Sequence, residues 1–495
     1  MRPGLLAAGP ASRTGELDED TVRDLELATL AAAMAGADEQ ARTAIDAVLR
    51  APLLDVVDVE HRQDVLAEVR RQRRLVTDLH EVAVAAVAGE RAVGRSAYTV
   101  SGEPLLHRSV RVLRAMADPL RRARRLTRTE FASAGFRGLA ATLATFDDTY
   151  LHELDETLAV LRCDDGIVAT AALGPGNKGT GFVLHEPPGR RAGVPPALRR
   201  SRLRHVASDA PAATDGFWSE TRGLAALRGR VLADVTAPVA AAAAHLTRFF
   251  VDLRDELAFL LGCLRLTDRL DGIGVPLCRP EPLAAGSAGP TARGLVEPCL
   301  ALLTGRPVVG SDLDVDGCDL VVVTGPNQGG KSTFLRGVGV AQVMLQAGMP
   351  VAAQEFTAPL VSGVHTHWTA AEDATFTSGR LDEELARIAA IADRARPHAL
   401  LLCNESFAST DEREGSALAA EAVRGFTGAD VRVLVVTHLH EFARRLQLER
   451  PERTLFLRAQ RRADGTRTFA IVPGLPQPTA HGTDLYDRMV AHRWR

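Results

Sequence analysis

Lysine is almost missing from this chain. Of 59 basic residues in 495, only Lys178 and Lys331 are lysine, and arginine supplies the rest. Aromatic residues are also scarce, at 4%, so the cores must be built mainly from Ala, Val and Leu. Six cysteines (Cys163, Cys263, Cys278, Cys299, Cys318 and Cys403) are scattered without a Cys-x-x-Cys pair. That spacing argues against a disulfide framework or a zinc site and fits a reducing compartment. No uninterrupted apolar run reaches the roughly 18 residues a membrane helix needs. The first residues also lack a basic-then-apolar signal pattern. Together these absences predict a cytoplasmic protein with no membrane partner. The net charge of −3 excludes attraction of the whole protein to DNA but leaves room for a local basic surface.

A chain this long divides into roughly two to four domains. Residues 1–15 read as a flexible lead-in. From 16 to 160 the sequence is rich in Ala, Leu, Arg and Glu, with apolar residues at helical spacing, as in Val65-Leu-Ala-Glu-Val69. Ala51-Pro52 marks a break between helices. Around 165–185, two apolar stretches flank Gly174-Pro-Gly-Asn-Lys-Gly179, the pattern of a β-hairpin. A Pro- and Arg-rich loop spans about 187–215, and helices resume to 271. A second Pro/Gly-rich stretch, 272–294, reads as a linker to a domain at 295–495. Strand and helix patterns alternate there at 319–324, 334–347, 381–396, 398–404, 414–427, 431–437 and 440–447. Such alternation implies a largely parallel sheet. The expected fold class is a mainly α-helical N-terminal region followed by an α/β domain of P-loop type.

The scarce lysine locates the chemistry. Lys331 lies within Gly325-Pro326-Asn327-Gln328-Gly329-Gly330-Lys331-Ser332-Thr333, after the apolar run Asp319-Leu-Val-Val-Val-Thr324 and before a helical pattern. In a phosphate-binding loop, glycine N–H groups wrap the phosphates while a slim ammonium reaches the outer oxygens as a point charge. Ser332 is then placed to ligate Mg²⁺. The segment Pro397-His-Ala-Leu-Leu-Leu-Cys-Asn404-Glu405 is an apolar strand ending in a polar pair. Glu405 is positioned to polarise an attacking water, and Asn404 can accept a hydrogen bond from a metal-bound water without adding charge. Val431-Arg-Val-Leu-Val-Val-Thr437-His438 is a third buried strand, ending in a histidine suited to sensing a terminal phosphate. Ser378-Gly379-Arg380 opens a helix, and a helix N-terminus with a free hydroxyl suits a phosphate.

Taken together, these motifs resemble the MutS family of DNA mismatch-repair ATPases. The Gly-Pro-Asn-x-Gly-Gly-Lys-Ser-Thr form of the loop is the most specific of them. The resemblance covers about 190 residues, and more weakly Ala51-Pro-Leu-Leu-Asp onward. It implies ATP bound by Gly325 to Thr333, Mg²⁺ on Ser332 and through water on Asn404, and catalysis by Lys331, Glu405 and His438. It further implies a homodimer in which Ser378, with Gly379 and Arg380, reaches the other subunit's nucleotide. Asn404 replaces the family's usual aspartate, and Ser406-Phe-Ala-Ser stands where a Gly-Arg-Gly run is common. No Phe-x-Glu occurs, so the wedge of mismatch-reading members is not expected. No Smr domain is expected after the last motif. Arg70 to Arg74, Arg108 to Arg128 and Arg190 to Arg204 could contact DNA phosphates without reading sequence, or could be solvated faces. The expectation is an ATP-dependent protein acting on DNA structures in repair or recombination. The alternative is a nucleotide-gated scaffold with weak hydrolysis and a protein or RNA partner.

Overall fold

The computed structural model describes residues 3–9, 12–96, 104–161, 168–173, 179–185, 215–368, 380–462 and 466–476. The N-terminal part is helical: α1 (Glu19–Asp24), α2 (Leu27–Ala35), α3 (Glu39–Leu49), α4 (Val56–Arg71), α5 (Arg73–Ser96), α6 (Pro104–Leu126), α7 (Ala134–Ala144) and α8 (Asp148–Leu161). β1 (Val168–Leu173) and β2 (Gly179–His185) pair antiparallel, as the glycine-rich turn predicts. One helix, α9 (Asp215–Ile273), follows. The loop read at 187–215 lies outside the described residues, save Asp215, where α9 begins. Among the described residues no helix is long and apolar enough to cross a membrane.

The C-terminal part mixes helices and strands: β3 (Glu281–Leu283), β4 (Thr291–Leu295), α10 (Pro298–Thr304), β5 (Ser311–Asp314), β6 (Leu320–Thr324), α11 (Lys331–Gln346), β7 (Glu355–Pro359), β8 (Val364–Trp368), α12 (Arg380–Arg394), β9 (Leu400–Asn404), α13 (Glu412–Gly428), β10 (Arg432–Val436), α14 (His440–Glu449), β11 (Thr454–Arg461) and β12 (Arg467–Pro473). Six strands form one sheet in the order β12-β11-β6-β10-β9-β8. It is parallel except for β12, which runs antiparallel along one edge.

The central strands are apolar runs because both their faces are covered. Leu320, Val322, Leu401, Cys403, Val433 and Val435 share one face with Val423 and Phe426 of α13 and Phe442 of α14. Residues of opposite parity face α11, where Gly339 allows close approach. A Cβ there would lie 2.6 Å from Leu402 and from Leu25. Register sets Asn404 beside Val436, and Val436 beside Val323, so β6, β9 and β10 end at one level. In parallel sheets, that carboxyl edge is where ligands bind.

Contacts divide the chain into two compact units. One holds Glu81–Arg128 and Thr142–Asp252, and the other holds Arg2–His80, Thr129–Ala141 and Leu253–Arg495. Two stretches differ from the sequence expectation. The lead-in is packed rather than loose: Leu5 is fully buried, and the Leu6 carbonyl accepts from the Arg62 guanidinium at 2.8 and 3.0 Å. The stretch 272–294 carries β3 and β4, half of a second sheet ordered β3-β7-β4-β5. Its Pro and Gly residues serve tight turns between very short strands, which resemble a linker when read by composition.

Candidate active site

The loop joining β6 to α11 is shaped by its glycines. Gly325 has φ +122° and Gly330 +92°, and Gly330 caps α11 from the left-handed region. Side chains would also collide: a Cβ on Gly330 would lie 2.8 Å from the Phe469 carbonyl, and one on Gly329 2.8 Å from the Ala459 Cβ. Gln328, also left-handed, accepts from Arg467 of β12 at 3.0 Å.

Lys331 opens α11 and is 4% exposed. Its ammonium donates to the Gly325 and Pro326 carbonyls at 3.0 and 3.1 Å, so it lies across the loop. Burial lowers its pKa to about 8, against the opposing pull of Glu405. The Ser332 hydroxyl donates to Asn404 Oδ1 at 2.8 Å. Beyond Asn404, the chain enters the left-handed region at Glu405 (φ +56°) and again at Phe407 (φ +62°). Glu405 Oε1 lies 2.8 Å from His438 Nε2. That hydrogen bond is the main cause holding the Glu405 carboxyl below its ordinary pKa, with the His438 and Lys331 charges adding to it and burial opposing. An ionised carboxylate can only accept, so His438 carries its proton on Nε2. The 3.4 Å approach of Nε2 to the Lys331 ammonium is then contact between two donors.

Two family models match the chain. The family model for the MutS2 N-terminal domain matches residues 54–273, and that for MutS domain V matches residues 321–474. The chain belongs to the MutS family. Endonuclease MutS2 of Anaeromyxobacter sp. (strain Fw109-5) is 34% identical over 221 residues, 43% of this chain and 27% of that protein. DNA mismatch repair protein MutS of Shouchella clausii (strain KSM-K16) is 30% identical over 224 residues, 45% of this chain and 25% of that protein. The Thermus aquaticus protein of the same name is 30% identical over 168 residues, 34% of this chain and 20% of that protein. The chain thus spans about a quarter of the length of these curated relatives.

In this MutS-family chain, residues Gly325 to Thr333, Asn404, Glu405 and His438 converge on the carboxyl edge of β6, β9 and β10. Ser378 and Gly379 lie outside the described residues. Arg380 begins α12, and its side chain is likewise not described. Two features were not readable as site residues. A cavity of about 560 Å³ adjoins the loop, lined by Leu295, Pro307, Val308, Val309, Phe334 and Phe469, with Gly330 and Thr333 at its margin. The apolar Pro307-Val-Val309 could have signalled it; Phe469, in an edge strand, could not. The second feature is a buried support beneath Glu405. Ser406 Oγ lies 2.6 Å from His367 Nδ1, and Glu384 of α12 accepts from the Phe407 amide. His367 is fully buried, and burial followed by the Arg387 charge lowers its pKa to about 4, so it stays neutral.

Proposed function

We propose that this chain is a Mg²⁺-dependent ATPase of MutS type, with residues 295–495 as its nucleotide-binding domain. A cytoplasmic homodimer would couple nucleotide state to the binding of DNA structures in repair or recombination. The observation that carries the reading is the meeting of one buried lysine, a glycine-shaped loop and a histidine-bonded carboxylate on one sheet edge. Phosphate oxygens would replace the Gly325 and Pro326 carbonyls as partners of the Lys331 ammonium. The adenine base would enter the cavity beside Gly330, whose lining joins apolar side chains to Glu297, Arg306 and Ser311 and offers Phe469 for stacking.

Ser332 Oγ and Asn404 Oδ1 are hard oxygen donors 2.8 Å apart, the donor type magnesium takes, and both fit the ion. Magnesium held by Ser332, and by Asn404 through water, would screen the phosphate charge. Glu405 would orient the attacking water and accept its proton, while the His438 Nε2–H holds the carboxylate in place. Ser378 of one subunit would complete the site of the other. The names of the relatives, DNA mismatch repair protein MutS and endonuclease MutS2, support DNA as the partner.

ATPase rate measured with duplex, mismatched, four-way-junction and single-stranded DNA tests this. Stimulation by one of them, lost in Lys331→Ala, is the expected result. A rate indifferent to every DNA removes the DNA-coupled reading. A second reading rests on the neutral Asn404 and on Glu405 already being bonded to His438: a nucleotide-gated scaffold with vestigial hydrolysis and a protein or RNA partner. Glu405→Gln separates the two. It should cut turnover by about 100-fold or more under the first reading, and change little under the second.

A further inference from the structure

Helix α6 sorts its arginines. Arg108 pairs with Glu90 of α5 at 3.3 Å, Arg121 with Asp155 at 2.6 Å, and Arg124 with Asp148 at 2.8 Å, the last two acids on α8. Arg114, Arg122 and Arg125, with Arg128 just past the helix end, are exposed. Among the described residues none of these four side chains makes a hydrogen bond or ion pair. At 100° per residue Arg114, Arg122 and Arg125 fall within an arc of about 80° on one face, spread over about 16 Å of the axis, with Arg128 following beyond the helix end. Exposed Asp118 is the single acid in that arc. The opposite face is committed to the core, with Leu113, Met116, Leu120 and Ala123 buried.

We propose that this solvent face of α6, carried by Arg114, Arg122, Arg125 and Arg128, is a sequence-independent docking surface for the phosphate backbone of a nucleic-acid duplex. The inference rests on the reading of the chain as a DNA-coupled protein and adds the surface that would make the contact. Guanidinium groups present forked donors that match phosphate oxygens, and a row of them along a helix follows a strand without reading bases. Charge complementarity has to be local, because the whole chain is slightly acidic. An anionic membrane fits less well. An interfacial helix buries an apolar face in the lipid, whereas the apolar face of α6 is already inside the protein and its only large exposed apolar residue is Leu105 at one end.

The test is fluorescence anisotropy of a random-sequence duplex at a series of salt concentrations, using the full chain. Substituting Arg114, Arg122, Arg125 and Arg128 by Gln should weaken binding about tenfold or more at low salt. The slope of log affinity against log salt should fall by roughly 3 to 4. A charge-matched control, with exposed Arg396, Arg413, Arg424 and Arg444 changed to Gln, should stay within about twofold of wild type. Asp118→Asn should move the other way and tighten binding. Wild-type binding that survives the fourfold stripe variant overturns the inference and leaves DNA coupling standing. No salt-dependent binding of any duplex by wild type overturns both. Loss of binding to phosphatidylserine vesicles, with duplex binding intact, reassigns the face to a membrane and also overturns it.

Discussion

Lys331 and the arginines of α6 both offer positive charge to phosphate, and their surroundings are opposite. Lys331 is 4% exposed and held by two carbonyls of its own loop, in a backbone path that admits little but glycine at its turns. Arg114, Arg122 and Arg125 of α6, by contrast, are exposed and make no ion pair among the described residues. In the first region shape and burial do the selecting, so one point charge suffices and its exact size matters. In the second, several weak contacts add up, each replaceable and each screened by salt. A chain that uses arginine almost everywhere keeps one of its two lysines at an enclosed cation position.

The largest break in that comparison comes from Lys331→Arg, which preserves charge and changes shape. Nucleotide affinity should fall by roughly 100-fold or more, because a buried charge that cannot make its contacts costs about 3–5 kcal/mol. The loop has no slack to absorb the larger head, since Gly329 and Gly330 already sit where a single Cβ would touch Ala459 and the Phe469 carbonyl. Titration with a fluorescent ATP analogue measures the effect. An arginine variant that binds as tightly as wild type would show that lysine is kept there for some other reason.

The same contrast explains what could be read in the sequence. The central strands were legible because continuous Val and Leu runs have few other uses. The loop was legible because its glycines and its lysine are required by geometry rather than by packing. Asn404, Glu405 and His438 followed as polar residues ending apolar strands, with Asn404 bonded to Ser332 and Glu405 and His438 close to the Lys331 ammonium. Other parts carried no such signal. Strand β8, Val-His-Thr-His-Trp, looks polar, yet its histidines are buried and His367 supports the loop after Glu405. Strands β3 and β4 are three and five residues long, too short for an alternation to register. The pairing of Arg121 and Arg124 with α8 depends on a tertiary contact, so the run from Arg108 to Arg128 could not be divided into paired and unpaired members from sequence alone.

Proton activity sharpens the comparison with a middle-sized effect. Burial brings the Lys331 pKa to about 8, so above that pH the free protein loses the ammonium that phosphate requires. Phosphate contact favours the charged form, so binding above about pH 8 must take up a proton. The dissociation constant should then rise about tenfold per pH unit. Going from pH 7 to pH 9 should therefore weaken ATP binding about tenfold. Duplex binding through arginine should stay flat across the same range, since guanidinium does not titrate there. Glu405, held below its ordinary pKa chiefly by His438, is ionised throughout and adds no slope. Isothermal titration of both ligands at pH 7, 8 and 9 reads the two arms together. A pH-independent ATP affinity would mean that Lys331 is not the titrating partner of the phosphates.

The smallest expected change is the most discriminating. Replacing Arg114, Arg122 and Arg125 together by Lys keeps three charges on the α6 face and removes only the forked geometry. An exposed side chain with no fixed partner has no shape to satisfy, and an ammonium on a flexible stem reaches a phosphate nearly as well. Duplex affinity at low salt should therefore stay within about twofold, with the salt slope unchanged, because that slope counts charges neutralised rather than hydrogen bonds made. A loss approaching that of the glutamine variants would mean that these guanidiniums grip the backbone in fixed, two-pronged contacts. The stripe would then resemble the enclosed lysine site, where shape decides.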